Sequence, residues 1–271
     1  MAGLIANARM YAVTQEAEEA WQALLARVLA GAGLSYRYER YPAPQPMEVL
    51  WRRRDLGCVL MCGYPIALGL AEVTPIAAPV PSLAWASDRP LYRSDLIVRA
   101  DSPIAKLEDS FGQRLGWTVE HSHSGFNALR HHLLPFRSAH RPSLYGEVTG
   151  NLVTARAILD AVLEGRIDIG PLDGYWHALM RLHRPDLVSG IRVVASTALA
   201  PIPAFVAGPE ADPAATARLK AAFAAAHEAT WFAPLAAKLA LSRFEPVQRT
   251  DFAPTLERDR EALAAGYPLP A

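Results

Sequence analysis

The sequence predicts an α/β fold built from two successive series of strands and helices. Apolar runs of strand length alternate with segments of helical period, and a Pro-rich stretch at residues 79–90 interrupts the alternation. A chain of 271 residues is also long enough for two lobes of roughly 100–150 residues each. Such alternation favours sheets covered by helices on both faces. We therefore expect a mainly parallel, doubly wound arrangement, in which the two series can form two lobes.

Composition excludes some classes of partner. Lys+Arg and Asp+Glu both number 27, so the net charge is zero, whereas nucleic-acid-binding domains usually carry a basic excess. No run approaches the ~20 apolar residues of a membrane span, and no export-signal pattern is visible at the start. We expect no nucleic acid partner and no membrane insertion. The expected location is cytoplasmic, or periplasmic if an export signal has been removed.

The first series begins with a strand predicted over residues 4–11. Thr14 is a plausible N-cap for the helix that follows, in which apolar residues recur at helical spacing. A buried strand is expected over 57–61. Its neighbourhood holds both cysteines, Cys58 and Cys62, which are too few for a disulfide framework and are interpreted as buried free thiols. A nucleophile at Cys62 would need a base that the sequence does not identify.

The second series begins with a long strand over 91–100. Asn151 is predicted to open a helix that ends at Gly165, and a strand should follow over 167–170. The tail is expected to form two helices, over about 213–232 and 254–265, both packed on the first lobe. The predicted division places residues 1–94 and 196–271 in the first lobe and 95–195 in the second, with crossings near 92–98 and 193–197.

Two motifs carry a family resemblance. The segment YRSDLIVRADSPIAKLEDSFGQRLG at residues 92–116 resembles the hinge strand, short helix and first second-lobe strand of type II periplasmic binding proteins. The segment AVLEGRIDIGPLD at 161–173 is similar to a helix–glycine–strand–aspartate element of the phosphate/phosphonate-binding subfamily of ABC transporter components. That subfamily usually carries a histidine before the second element, and residues 150–155 have none.

The resemblance implies a two-lobed type II periplasmic-binding-protein-like α/β fold, in which two doubly wound mixed sheets are joined by two hinge strands. It also implies that the lobes close on a small anionic ligand, phosphate- or phosphonate-like or a small carboxylate, with an ABC permease as a possible partner. No cofactor and no metal are expected. Two alternatives remain open: a cytosolic enzyme on the same fold, similar to chorismate dehydratases or pyrimidine-precursor synthases, and a ligand sensor without a transport role.

The strongest candidate site is the turn from Ser122 to Gly125, which joins a predicted strand end to a helix start. Free N–H groups and a partial positive charge at a helix start suit an anion. Ser122 and Ser124 add hydroxyls, and Gly125 would let a ligand approach the backbone; the resemblance places the subfamily's serine/threonine turn here. Simple N-capping by either serine is the structural alternative. His123 is expected to donate a hydrogen bond to the ligand, rather than to share a metal with His121.

Four other residues complete the predicted ligand-binding set. Asp173 follows a strand, where open α/β sheets bind ligands. It would suit a ligand amine or hydroxyl, or cap the next helix. Tyr11 ends the first predicted strand of the first lobe and Tyr64 follows the third, and core packing is the alternative for Tyr64. Tyr92 begins the predicted hinge.

Overall fold

The structure is a computed structural model that describes residues 3–271. The chain divides into two compact units. The first contains residues up to Tyr92 together with Pro201–Ala253, and the second contains Arg93–Ala200 together with Pro254–Ala271. The chain therefore passes from one unit to the other at three points.

Short strands and helices alternate along the chain, as the sequence predicts. The strands are β1 Ile5–Asn7, β2 Arg37–Tyr38, β3 Leu56–Met61, β4 Thr74–Pro81, β5 Leu91–Tyr92, β6 Ser94–Arg99, β7 Arg114–Gly116, β8 Glu147–Thr149, β9 Gly170–Asp173, β10 Ile191–Ser196, β11 Ala200–Pro201, β12 Ala204–Ala207 and β13 Leu241–Pro246. The α-helices are α1 Gln15–Gly31, α2 Met47–Trp51, α3 Gly63–Leu68, α4 Ala128–Leu133, α5 Ala155–Leu163, α6 Gly174–His183, α7 Pro185–Val188, α8 Pro213–Ala225, α9 Phe232–Lys238 and α10 Ala253–Ala264.

The first unit is built on a six-stranded mixed sheet in the order β13-β4-β12-β3-β1-β2. Strand β1 is parallel to both β2 and β3, whereas β12 runs antiparallel to β3 and β4. Every residue of β3 is buried, which explains its continuous apolar sequence. The prediction of a buried strand here is confirmed.

Helix α1 covers this sheet because its apolar residues share one face. Thr14 caps the helix as predicted, since its side chain accepts a hydrogen bond of 3.2 Å from the Ala17 N–H. Trp21 is fully buried, and its ring meets those of Phe205 and Phe244 edge-on at centroid distances of 5.9 and 6.4 Å. This aromatic cluster forms the core of the first unit.

The second unit contains a three-stranded sheet in the order β10-β6-β9, with both outer strands antiparallel to β6. Strands β7 and β8 form a parallel pair, and a single bridge joins Leu115 to Ile169 beside β9. In the register of β6 and β9, Ser94 lies opposite Asp173. The carboxyl end of β9 therefore lies beside the start of β6.

The C-terminal helices are divided between the units. The prediction that they pack on the first lobe is correct for α8, which forms most of the helix expected over 213–232, and wrong for α10; α9 was not predicted. Residues from 254 onward belong to the second unit because Arg130 of α4 anchors them: it donates to the Pro268 carbonyl at 2.9 Å and pairs with Asp259. A sequence pattern does not show this partner, because an amphipathic helix can cover either unit.

Three element boundaries also differ from the prediction. The first strand ends at Asn7, and residues 9–11 form a short 3₁₀ turn. The strand expected over 167–170 lies at 170–173 instead. Asn151 does not open a helix; α5 begins at Ala155, with Thr154 as its N-cap. Helix and strand ends depend on hydrogen bonds to distant segments, which periodicity does not reveal.

Candidate functional site

The predicted turn lies where the chain leaves β7 and enters a helix. Ser122 is the N-cap of a single π-helical turn, His123–Asn127, which continues directly into α4. The Ser122 hydroxyl accepts a hydrogen bond of 3.0 Å from the Gly125 N–H. The capping interpretation of Ser122 is therefore correct, and π-turns of this kind often occur at functional sites.

Ser124 has two donors available within this turn. Ser124 is only 9 % exposed, yet neither its hydroxyl nor its backbone N–H donates a hydrogen bond to any residue in the described part of the chain. Its carbonyl accepts a 2.8 Å hydrogen bond from the buried hydroxyl of Ser94 on β6, which fixes the turn against the sheet. Two directed donors at the positive end of a helix can hold one oxygen of an anion.

Gly125 is required by packing. A Cβ at this position would lie 1.9 Å from the Thr118 hydroxyl oxygen and 2.8 Å from its Cβ, so a side chain cannot be accommodated. The Thr118 N–H also donates to the Gly125 carbonyl at 3.1 Å. The expectation that Gly125 clears space for a ligand is thus corrected: the space beside Gly125 is filled by Thr118.

His123 lies inside the protein, only 1 % exposed. Its Nδ1 is 3.2 Å from the amide nitrogen of Asn127, and its Nε2 is 3.3 Å from the guanidinium of Arg258. Burial, with the nearby charges of Arg258 and His131, lowers the His123 pKa to about 3. The ring is therefore neutral at ordinary pH, and its direct contact with a ligand stays a prediction.

A buried polar network supports the turn from behind. Arg130 is 3 % exposed and donates to the Asn127 side-chain oxygen at 3.0 Å, as well as to the C-terminal segment. Asn127 in turn donates to the Thr255 carbonyl at 2.8 Å. These residues were not predicted from the sequence, although polar residues such as Asn127 and Arg130 on the apolar face of a helix are a visible signal.

Unsatisfied polar atoms concentrate around the turn. The buried Trp117 indole nitrogen, Thr118 hydroxyl and Arg130 Nε make no hydrogen bond, and in the described part of the second unit no other buried side-chain atom shares this property. All three lie in the turn's flanking segment or in the helix that continues it. Such groups are rare in native proteins and tend to accompany functional sites.

Asp173 caps α6. Its Oδ1 accepts hydrogen bonds from the Tyr175 and Trp176 N–H groups at 2.9 and 3.0 Å, so the capping interpretation is correct. Asp173 on β9 also lies opposite Ser94 on β6, and Ser94 is the residue whose hydroxyl donates to the Ser124 carbonyl. An additional contact between Asp173 and a ligand amine or hydroxyl stays a prediction.

A second buried cluster, which was not predicted from the sequence, surrounds Asp95. Its carboxylate pairs with His177 Nδ1 at 2.9 Å and accepts from Ser196 at 2.8 Å. Burial opposes ionisation of Asp95, but hydrogen bonds from His177 and Ser196 hold its pKa below the usual value. Neighbouring strand residues point to opposite faces, so Asp95 points away from the face of Ser94 and the turn. The serine bonds to the carboxylate rather than to the imidazole, so the cluster is not arranged as a nucleophile with its base.

The first unit holds the three predicted tyrosines, and all of them are buried. Tyr11, Tyr64 and Tyr92 are 1 %, 5 % and 0 % exposed. A Cβ on Gly63, the residue before Tyr64, would lie 2.4 Å from the Phe252 ring, so this glycine too is required by packing. Ligand contacts of the tyrosines stay predictions.

Neither Cys58 nor Cys62 forms a disulfide, and both are buried, as predicted; burial raises the pKa of the Cys58 thiol. Within residues 3–271, no three His, Cys, Asp or Glu side chains form a group that could hold a metal ion.

The amino-acid sequence matches one known protein family over most of its length. The sequence profile of the periplasmic substrate-binding proteins of phosphonate ABC transporters matches residues 11–252. The chain therefore belongs to this family of substrate-binding proteins. No curated protein matches the chain in sequence. No helix in the described part of the chain is long and apolar enough to cross a membrane.

Solved structures agree on the fold. A binding-protein component of an ABC phosphonate transporter from Pseudomonas aeruginosa is 17 % identical, with a TM-score of 0.80 over 97 % of this chain and 88 % of that one. A Prochlorococcus marinus binding protein in complex with methylphosphonate is 16 % identical, with a TM-score of 0.76 over 96 % and 98 %.

A Xanthomonas citri protein bound to a chloride ion is 20 % identical, with a TM-score of 0.69 over 98 % and 99 %. At these identities the likeness establishes the periplasmic-binding-protein fold.

Proposed function

We propose that this substrate-binding protein takes a small phosphonate- or phosphate-like anion and holds one of its oxygens at the Ser122–Gly125 turn. The observation that carries the proposal is Ser124, whose hydroxyl and N–H both lack a partner in the described chain although the residue is almost buried. A bound anion would satisfy both donors at once, and hydrogen bonds to charged groups are the stronger ones.

Three further features support an anion at this turn. The backbone N–H groups at the start of a helix carry partial positive charge. Ser94 fixes the Ser124 carbonyl, so the donors are oriented before the ligand arrives, which reduces the entropic cost of binding. Family membership and the methylphosphonate complex of the Prochlorococcus marinus relative favour a phosphonate among the possible anions.

The family also bears on location and partner. Its members are periplasmic components of ABC transporters, so we propose that this chain acts in the periplasm and passes its ligand to a permease. The cytoplasmic location expected from the sequence has no support from the family. Closure of the lobes on the ligand remains a prediction, which small-angle scattering with and without ligand would test.

The direct test is calorimetric titration of the purified protein with methylphosphonate, inorganic phosphate and acetate. We expect saturable binding of methylphosphonate or phosphate at one site per chain and much weaker binding of acetate. Preference for acetate would overturn the phosphorus-anion proposal. Binding of none of the three, by a protein shown to be folded and free of co-purified ligand by native mass spectrometry, would reject the anion site itself.

A further inference from the structure

The loop between β8 and α5 holds a strained valine. Val153 has φ of +64°, and the Thr154 N–H donates to the Leu152 carbonyl at 2.7 Å, which closes a three-residue turn around it. Turns of this type with positive φ are rare, and a β-branched residue is poorly suited to them. Asn151 in the same loop also has a positive φ of +57°. Strained conformations persist only where neighbouring structure fixes them, and they cluster at ligand sites.

Neighbouring structure does fix this loop. The Leu152 N–H donates to the Trp117 carbonyl at 3.2 Å, and the Val153 N–H donates to the Thr118 carbonyl at 3.4 Å. The Trp117 ring packs so closely on Gly150 that a Cβ there would lie 2.2 Å from it. The loop therefore cannot relax to a more favourable conformation without losing its attachment to residues 117–118.

The same residues attach the loop to the anion-binding turn. Thr118 bonds Val153 through its carbonyl and Gly125 through its N–H, and its side chain fills the space beside Gly125. Despite this anchored backbone, the Val153 side chain is 43 % exposed. The strained turn thus holds a partly exposed apolar side chain in a loop that Thr118 joins to Gly125, the residue that follows Ser124.

We propose that Val153 is a specificity-determining residue that contacts the organic substituent of the bound anion. The inference rests on the proposed anion site and deepens it: the preferred ligands are phosphonates with a short, uncharged alkyl chain. Apolar contact stabilises such a chain by about fourfold in affinity for each methylene removed from water. An ammonium group at the end of the chain must keep its hydration, so it gains nothing against valine.

Two nearly isosteric probes separate this preference from affinity for the headgroup. Propylphosphonate and 2-aminoethylphosphonate have chains of the same length and differ in the terminal group. The variants are Val153→Asn and Val153→Gly, because both residues adopt positive φ readily and should leave the fold intact or more stable. Val49→Asn is the matched control, since Val49 is 57 % exposed and lies outside the second unit.

Calorimetric titration should show that the parent protein prefers propylphosphonate over 2-aminoethylphosphonate by about fourfold or more. Both Val153 variants should bring that ratio to within about twofold of one while changing affinity for inorganic phosphate less than twofold, and Val49→Asn should change neither. Melting temperatures of the variants should not fall, which separates loss of contact from loss of structure.

An unchanged ratio in both variants would overturn the role of Val153. So would a parent that prefers the amine. If the parent binds none of the three probes, the proposed function fails and this inference fails with it. If Ser124→Ala weakens all probes equally while the Val153 variants leave the ratio unchanged, only the inference about Val153 is rejected.

Discussion

Substitution of the two serines of the turn, Ser122 and Ser124, should affect ligand affinity and the free energy of unfolding separately. Ser122 accepts the Gly125 N–H and caps the helix, whereas the Ser124 hydroxyl donates to nothing in the described chain. Ser122→Ala removes a helix cap, whereas Ser124→Ala removes only a hydroxyl donor that a ligand would use. The pair therefore provides its own control, because both changes delete one hydroxyl from the same turn.

The expected magnitudes follow from these contacts. Loss of an N-cap costs about 1 kcal/mol, so Ser122→Ala should lower the free energy of unfolding by that amount and the melting temperature by about 2–4 °C. A hydrogen bond to a charged group is worth about 1.5–3 kcal/mol, so Ser124→Ala should weaken anion binding by about ten- to a hundredfold. It should leave the free energy of unfolding within about 0.5 kcal/mol of the parent, as most substitutions without a structural role do.

Denaturant unfolding measures the first quantity, and calorimetric titration with methylphosphonate and phosphate measures the second. The proposed anion site is refuted if an anion that the parent protein demonstrably binds is bound equally tightly by Ser124→Ala. A Ser124→Ala protein that loses stability as much as Ser122→Ala would show that its hydroxyl has a structural partner.

Three further predictions concern the surroundings of the turn. Gly125→Ala should destabilise the fold by about 1–3 kcal/mol in denaturant unfolding, because its Cβ would collide with Thr118; a neutral result would show that the two segments separate easily. Arg130→Met should lower the free energy of unfolding by about 3–5 kcal/mol, because it leaves the largely buried carboxylate of Asp259 without its ion-pair partner. Removal of the exposed Arg156–Asp160 ion pair should lower it by less than about 0.5 kcal/mol, and equal losses would contradict the importance of burial. Burial lowers the His123 pKa to about 3 in the folded protein, so below pH ~6.5 only the unfolded state binds a proton at this residue. The free energy of unfolding should therefore fall by up to about 1.4 kcal/mol for each unit by which the pH is lowered. His123→Gln should remove that part of the slope in unfolding measurements between pH 7 and 5; an unchanged slope would place the titrating group elsewhere.

Local patterns predicted the elements whose determinants lie within a few residues. The Thr14 cap and the apolar face of α1 are examples, because helical period and capping chemistry are both local. The apolar run of β3 likewise predicted a strand buried on both faces. The Ser122–Gly125 turn was recognised as a helix start for the same reason, and the structure confirms the cap.

Contacts between distant segments decided the rest. The role of Gly125 was misjudged because a missing side chain can make room for a ligand or for a neighbour, and only the position of Thr118 distinguishes the two. The strain at Val153 was equally invisible, since its φ is set by hydrogen bonds to residues more than 30 positions earlier.

The sequence by itself determined the alternating α/β class, the family motifs and the turn most suited to an anion. Each of these follows from periodicity, capping residues or short signatures that do not depend on the rest of the chain. Only the tertiary structure decided that α10 joins the second unit and that His123 is buried and neutral. It also decided that Ser124 keeps two donors without a partner. Burial and hydrogen-bond satisfaction are properties of segments brought together by folding, and they appear only when every partner is in place.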